Sequence, residues 1–317
     1  MRCLRRRLRI GGAVLAPAKT VAAVTLSLAI SACSFSSNGA GSDATQNDAM
    51  QLDGARNDGP IVDARIDARM VDAAPRRTRL GLVLRYDFNE AAGATVVQDT
   101  SGVEPQRNLQ VLASVAPTFN GASLTTNGST ALIDEVANLS AGAKIVDACM
   151  MGTITIEAWI TQAAGTIASG RIVTLTKSND VNASNFLVGS FTGAPADAFA
   201  GMRTSSTTSA GVTLGLVDGM VATTPQLVVA RYNGTELKLQ TLIGPSPTVG
   251  DAVNTVPLTG TFANWDRTYK LVLLNSPEYF NGSFRPWRGT ISSLSVYCRS
   301  LSDAEVANDR MLGSESL

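Results

Sequence analysis

At 317 residues, with aromatic side chains at 5% and charged ones at 16%, the chain has room for one large β domain with appendages, and its many threonines, serines, glycines and valines suit strands and tight turns. It contains no histidine, which excludes Ser-His-Asp and Cys-His catalysis and imidazole zinc sites and leaves carboxylate chemistry, a lysine or N-terminal base, or calcium held by oxygens. Lys plus Arg and Asp plus Glu both number 26, but Arg2, Arg5, Arg6, Arg7, Arg9 and Lys19 lie in a leader without an acid, and the remaining 20 bases against 26 acids give a net charge of −6 that argues against nucleic-acid binding.

The leader comes first in chain order. Its cationic start is followed by an apolar run from Thr20 to Ile30, shorter than the roughly 20 residues that span a bilayer. Small residues follow in Ile30-Ser31-Ala32-Cys33, completing the pattern of a secretory signal peptide over 1–32. A cysteine directly after Ser-Ala resembles a bacterial lipoprotein lipobox. That resemblance implies that Cys33 becomes the acylated N-terminus of an exported, membrane-anchored protein. Serine rather than aspartate at position 34 implies the outer membrane or cell surface. From Cys33 to Arg79 the chain holds few large apolar residues, and Asp43, Asp48, Asp53, Asp58, Asp63, Asp67 and Asp72 recur at steps of five, once of four. This period fits neither helix nor strand. It is read as a solvated tether, long enough to hold a domain on the order of 40 Å from the membrane.

The folded domain is placed at 80–317. Leu82, Leu84, Tyr86 and Phe88 alternate as one face of a strand, and Asp99-Thr100-Ser101-Gly102 turns the chain. Short strands are expected near 95–97, 108–113 and 131–133. Thr153 to Ile160 is the clearest strand, with Ile154, Ile156, Ala158 and Ile160 on one face and Thr155, Glu157 and Trp159 on the other. Further strands are expected over 171–177, 185–191, 226–232, 236–243 and 269–274, with a hairpin at Asn233-Gly234. Near the end, Gly289 permits a bend into a strand over 291–297. Ser302 and Glu305 then form the S-x-x-E capping box of a helix, with Leu301 and Val306 placed as a hydrophobic staple. Many short strands and one short C-terminal helix indicate an all-β, antiparallel two-sheet sandwich.

Three of these segments resemble the laminin-G-like, concanavalin A-type jelly rolls: the opening strand with its Asp-x-Ser-Gly turn, the Thr-Ile-Glu-Ala-Trp strand, and the closing Trp287-Arg288-Gly289 segment with its capped helix. The resemblance covers about Leu80 to Gly313. It implies a jelly roll that binds glycan or an extracellular polymer, or that serves as a protein-interaction or structural module of the cell envelope; a divergent glycosidase is the third reading. Laminarinase-like enzymes of that fold use E-x-D-x-x-E on one strand, a motif this sequence lacks, and the adjacent acids Asp134 and Glu135 would point to opposite faces of a strand.

For a sugar site the candidates are Glu157, Trp159 and Trp265, with Trp287 at a position that looks structural in the family. For calcium they are Asp87, Asn89, Glu90 and Asp99 near the opening turn. Trp265-Asp266-Arg267 and Glu278 to Gly282 are expected in loops, where recognition tends to sit. Cys149 and Cys298 remain as an even pair in an exported chain. They are either a bridge that closes about 150 residues, worth roughly 5 kcal/mol, or two buried thiols acting as small hydrophobes. The expected partners are a glycan or an extracellular protein, with the membrane reached through the lipid anchor and the domain itself a monomer.

Overall fold

A computed structural model describes residues 76–113, 115–134, 140–164, 169–177, 180–190, 197–208, 211–220, 223–276 and 285–314, all within the compact unit Ile66–Leu317. The signal peptide, Cys33, the aspartate repeat, Glu135, Phe191 and the loop 278–282 lie outside these residues. Strands β1 (Leu82–Tyr86), β2 (Val96–Val97), β3 (Leu109–Ala113), β4 (Thr118–Phe119), β5 (Leu124–Thr126) and β6 (Thr130–Asp134) precede helix α1 (Ala141–Ala148). Then come β7 (Ile154–Gln162), β8 (Gly170–Lys177), β9 (Asp180–Ser190), β10 (Asp197–Met202), β11 (Val212–Met220), β12 (Gln226–Tyr232), β13 (Glu236–Ile243), β14 (Ala252–Pro257), β15 (Lys270–Leu273), β16 (Gly289–Tyr297) and helix α2 (Asp303–Leu312).

The strands form two sheets with antiparallel pairing throughout. The first runs β14-β13-β12-β7-β16-β5-β4, with β1 beside β16; the second runs β11-β10-β9-β8-β15-β6-β3-β2. The expected two-sheet sandwich is therefore present, in a layout that fits a jelly roll. Its core follows from alternation. Ile154, Ile156, Ala158 and Ile160 of β7 face inwards and meet Leu132, Leu175, Phe186, Val188, Leu271 and Leu273 of the second sheet, each at most 2% exposed. Burying each large aliphatic or aromatic side chain this fully is worth roughly 1.5–3 kcal/mol.

Three local expectations need correction. Leu82 does not share a face with Leu84, Tyr86 and Phe88: the register against β16 slips between Leu82 and Leu84, so Leu82 packs outside the first sheet on Trp159 and Tyr297 while the others enter the core. The β12–β13 hairpin turns one residue later than Asn233-Gly234. Asn233 N donates to Glu236 O at 3.3 Å, the loop is Gly234-Thr235, and Gly234 adopts φ 98°. The Asn233 side-chain oxygen closes that turn by accepting from the Thr235 and Glu236 amides at 2.9 and 3.0 Å. Finally, α2 is not alone among the described residues: α1, a helix the sequence reading lacks, starts at Ser140, whose side chain accepts from Ala143 N at 2.9 Å.

The closing segment forms as expected. Ser302 Oγ accepts from Glu305 N at 3.3 Å and Glu305 Oε2 accepts from Ser302 N at 2.8 Å, so each satisfies a helix-end amide of the other. Leu301 and Val306 pin α2 onto Trp159, Leu227 and Val229 on the outer face of the first sheet. Gly289 serves a close approach as well as a bend: a Cβ there would stand 2.3 Å from Thr161 O and 2.6 Å from the Trp287 ring.

Helix α1 is seated by a glycine too. A Cβ on Gly142 would stand 2.1 Å from Tyr269 O and 2.7 Å from Leu175 Cδ1, in backbone and core that have nowhere to go. Gly142→Ala, which in an isolated helix would favour helicity, is expected here to cost about 3 kcal/mol through overpacking. Urea denaturation checks this, and a variant as stable as the parent would show that the seat yields.

Candidate functional site

Loop 102–107 and helix α1 face each other across a cleft of about 440 Å³, within the size range of small-ligand sites. Val83, Val103, Pro105, Ala143 and Ala148 give it an apolar lining; Glu104, Arg107, Ser140, Lys144 and Asp147 bring polar groups. Asp99, at the head of the Asp-x-Ser-Gly turn and 2% exposed, ties the two walls together. Its Oδ2 accepts from Lys144 Nζ on the helix at 2.9 Å and from Arg107 N on the loop at 3.0 Å, while Oδ1 accepts from Ser101 N at 3.0 Å. Lys144 Nζ also donates to Val103 O at 2.6 Å, and Tyr86 OH donates to Arg107 O at 2.7 Å.

Both ends of α1 are fixed. Near its start Gly142 N donates to Asp134 Oδ2 at 3.2 Å, an oxygen that also accepts from Leu271 N at 3.1 Å. Burial pushes the Asp134 carboxyl up to about 6 despite these donors. At its end the C-cap Cys149 is bridged to Cys298, just beyond β16, with a Cα–Cα distance of 4.6 Å. Of the two alternatives for this pair the disulfide is the one formed.

The charges of the cleft are unequally satisfied. Lys144 is neutralised by Asp99, and Asp147 by Arg267 at 2.6 Å. Glu104 is exposed, and its Oε2 accepts from Gln106 N at 3.1 Å. Among the described residues the Arg107 guanidinium has neither an acidic partner nor a hydrogen-bond acceptor, and its Nε is buried.

The residues proposed for calcium are engaged differently. Asp99 is filled by the donors just named. Asp87 pairs with Arg85 Nε at 2.6 Å and accepts from Thr100 Oγ1 at 2.7 Å. Glu90 accepts from Gln98 N at 2.8 Å, and Asn89 is exposed. Hydrogen donors occupy lone pairs that a cation would need. Among the described residues no three Cys, Asp or Glu side chains are grouped to hold a metal ion. Asp99 instead positions the walls of the cleft.

The residues proposed for sugar stacking are interior. Trp265 is 7% exposed, stacks on Phe262 at 3.8 Å between ring centroids, and donates from Nε1 to Arg203 O at 2.7 Å. Trp287 is fully buried. Trp159 is 5% exposed beneath α2, although its edge lines a second cavity of about 290 Å³ with Pro225 and Pro245. None of the three offers an open ring face.

Glu157 lies under α2 as well, 2% exposed, in a cluster that reaches outside the expected domain boundary. Arg77, three residues before Leu80, places Nη1 3.5 Å from Glu157 Oε2 and 3.9 Å from Asp309 Oδ2. Its Nη2 donates to the carbonyls of Asp309 and Gly313. Glu157 Oε1 and Asp309 Oδ2 are buried without a hydrogen-bond donor. Burial, and then the charge of Asp309, push Glu157 up to about 8; burial also raises Asp309. Such displaced acids often mark catalytic sites, but here sheet, helix and the incoming segment close them off, and their role is to hold the N-terminal segment against α2.

No family model matches the chain, and no curated protein is similar to it in sequence. Among solved structures it is similar to the binding domain of botulinum neurotoxin DC in complex with rat synaptotagmin II, with a TM-score of 0.48 and 10% identity over 74% of this chain and 52% of that one. It is also similar to the Ruminococcus gnavus IT-sialidase CBM40 bound to α2,3 sialyllactose, with a TM-score of 0.41 and 13% identity over 54% of this chain and 90% of that one. The chain spans about half the length of the neurotoxin domain. Fold and function are therefore read from this chain's own geometry.

Proposed function

We propose that the chain is an exported lipoprotein, anchored through Cys33, whose laminin-G-like sandwich binds a glycan or glycan-bearing polymer without catalysis. The observation that carries the binding reading is the cleft between loop 102–107 and α1, where an apolar wall of Val103, Pro105 and Ala143 stands beside polar groups at its rim. A sugar presents the same combination, a C–H face bordered by hydroxyls, and a cleft on rigidly held elements suits it. The leader and the aspartate-spaced segment support export and a tether that ends before Arg77, which packs on the fold. Non-catalytic action is favoured because the cleft acids are exposed and Asp147 is held by Arg267, whereas the paired acids Glu157 and Asp309 are closed to substrate.

The test is a glycan-array screen with the full chain and with Ala148→Trp, which fills the cleft from an exposed helix position. Saturable binding is expected, lost in the variant at an unchanged melting temperature. Binding that survives the tryptophan would place the site elsewhere. Incorporation of a palmitate analogue, abolished by Cys33→Ala, checks the anchor.

One observation favours a second reading, an interaction module for proteins. Met150 and Met151, just past the end of α1, are 72% and 86% exposed, and exposed methionines suit adaptable protein contacts. Loss of a protein partner, rather than of a glycan, in a Met150→Ser, Met151→Ser variant would establish it.

A further inference from the structure

We infer that the ligand of this cleft carries a carboxylate, as an acidic sugar does, and that Arg107 is the residue that selects it; the inference rests on the cleft being the glycan site. Of the other charged groups of the lining, Lys144 faces Asp99 at 2.9 Å and donates to Val103 O at 2.6 Å, Asp147 faces Arg267 at 2.6 Å, and the exposed Glu104 accepts from Gln106 N at 3.1 Å. Arg107 differs from them in lacking any acceptor for its guanidinium among the described residues, with Nε already withdrawn from solvent.

This lack has a structural origin. The backbone of Arg107 is held from both sides, its N–H by Asp99 Oδ2 at 3.0 Å and its carbonyl by Tyr86 OH at 2.7 Å. The base of the side chain is thus fixed by two buried partners, while Asp99, the acid that takes the Arg107 N–H, spends its charge on Lys144. The guanidinium fork is left to line the cleft beside Val103 and Pro105. A planar cation of this kind binds a carboxylate through paired hydrogen bonds, and strongly where water is displaced. Ser140, on the opposite wall, and the exposed Glu104 supply acceptors for sugar hydroxyls, since a carboxylate and a serine oxygen both accept. A ligand with one carboxylate, several hydroxyls and an apolar ring face answers all of these groups. A neutral sugar leaves the guanidinium unpaired, which costs affinity when water is excluded.

The experiment uses an array on which glucuronate-, galacturonate- and sialate-bearing oligosaccharides stand beside their carboxyl-reduced, neutral counterparts. It is probed with the full chain, Arg107→Gln and Arg107→Lys, each first checked for an unchanged melting temperature. At least one acidic member is expected to bind, with its reduced counterpart roughly 10- to 100-fold weaker. Arg107→Gln should lose the same factor on the acidic member alone, and Arg107→Lys should recover part of it, as a charge without the fork does. Equal binding of acidic and reduced members, unmoved by Arg107→Gln, would overturn the selection by Arg107 and leave a neutral-glycan site standing. Binding of no member at all would overturn both the selection and the glycan reading beneath it.

Discussion

Replacing Cys149 and Cys298 together by alanine is expected to lower the stability of the domain by about 5 kcal/mol. The bridge spans 149 residues of sequence, and in the chain-entropy account a closed loop of that size withholds about 5 kcal/mol of freedom from the unfolded chain. The cost also has a location. Cys149 is the C-cap of α1, and Cys298 follows the strand that pairs with both β1 and β7. Without the bridge, α1 loses its one covalent tie and keeps the Asp134, Asp99, Val103 and Arg267 contacts and the packing of Gly142, Ile145 and Val146. Urea midpoints of oxidised, reduced and doubly substituted protein check this. For a domain of this size the melting temperature should fall by roughly 10–20 °C, and the glycan binding proposed for the cleft should weaken at temperatures where the domain remains folded, because one wall of the cleft has loosened. Equal midpoints for the oxidised and reduced forms would show that the unfolded chain gains nothing from the cut.

How much of this was legible beforehand depended on whether the determining contacts were local. β7, β13 and β16 were readable because their alternation writes one buried face directly into the chain, and β12 because Leu227 to Ala230 is a continuous apolar run buried on both faces. The capping box of α2 was readable because both partners lie within four residues. Helix α1 was not, because its first turn, Ala141-Gly142-Ala143, contains a glycine and no large apolar side chain, and the serine cap has no glutamate three residues on. Its helical seat is made by Tyr269 and Leu175, distant in sequence. β10, with its glycine and alanines, and β14, whose Val253 is 59% exposed, lack the alternation that betrays a strand. Of the candidate site, Asp99 is legible as an acid in a turn, but its partners are not: its oxygens serve Lys144 and the Arg107 amide, and Lys144 sits on the helix that the sequence pattern does not reveal. Glu157 and Trp159 were assigned to an open face because the strand gives no hint that α2 folds back over it.

Arg77 carries the second large effect, and it too was out of reach of local pattern, lying among polar residues upstream of the first strand. Arg77→Met is expected to destabilise the domain by roughly 3–5 kcal/mol at pH 9, the cost of leaving buried acids without their cation. The loss should shrink at pH 5. Because Glu157 holds its proton more tightly in the folded state, up to about 8 against an ordinary value of 4.5, its contribution is complete below 4.5, declines as pH rises, and is gone above about 8. Asp134, raised to about 6, acts in the same direction over a lower window. The parent protein should therefore lose stability from pH 5 to pH 8, and Glu157→Gln, which fixes the protonated shape, should flatten that slope by up to about 1.4 kcal/mol per pH unit. In Arg77→Met both acids resist ionisation further, since the Arg77 charge lowers each of them, and the slope should persist to higher pH. Urea midpoints of the three proteins at pH 5, 7 and 9 decide the matter. A loss in Arg77→Met that is the same at every pH would mean that Arg77 acts through its packing and its bonds to the Asp309 and Gly313 carbonyls alone. A pH-dependent loss would show that the charge of Arg77, acting on the carboxyls of Glu157 and Asp309 beneath α2, holds the N-terminal segment, the one that leads back towards the proposed tether, to the fold.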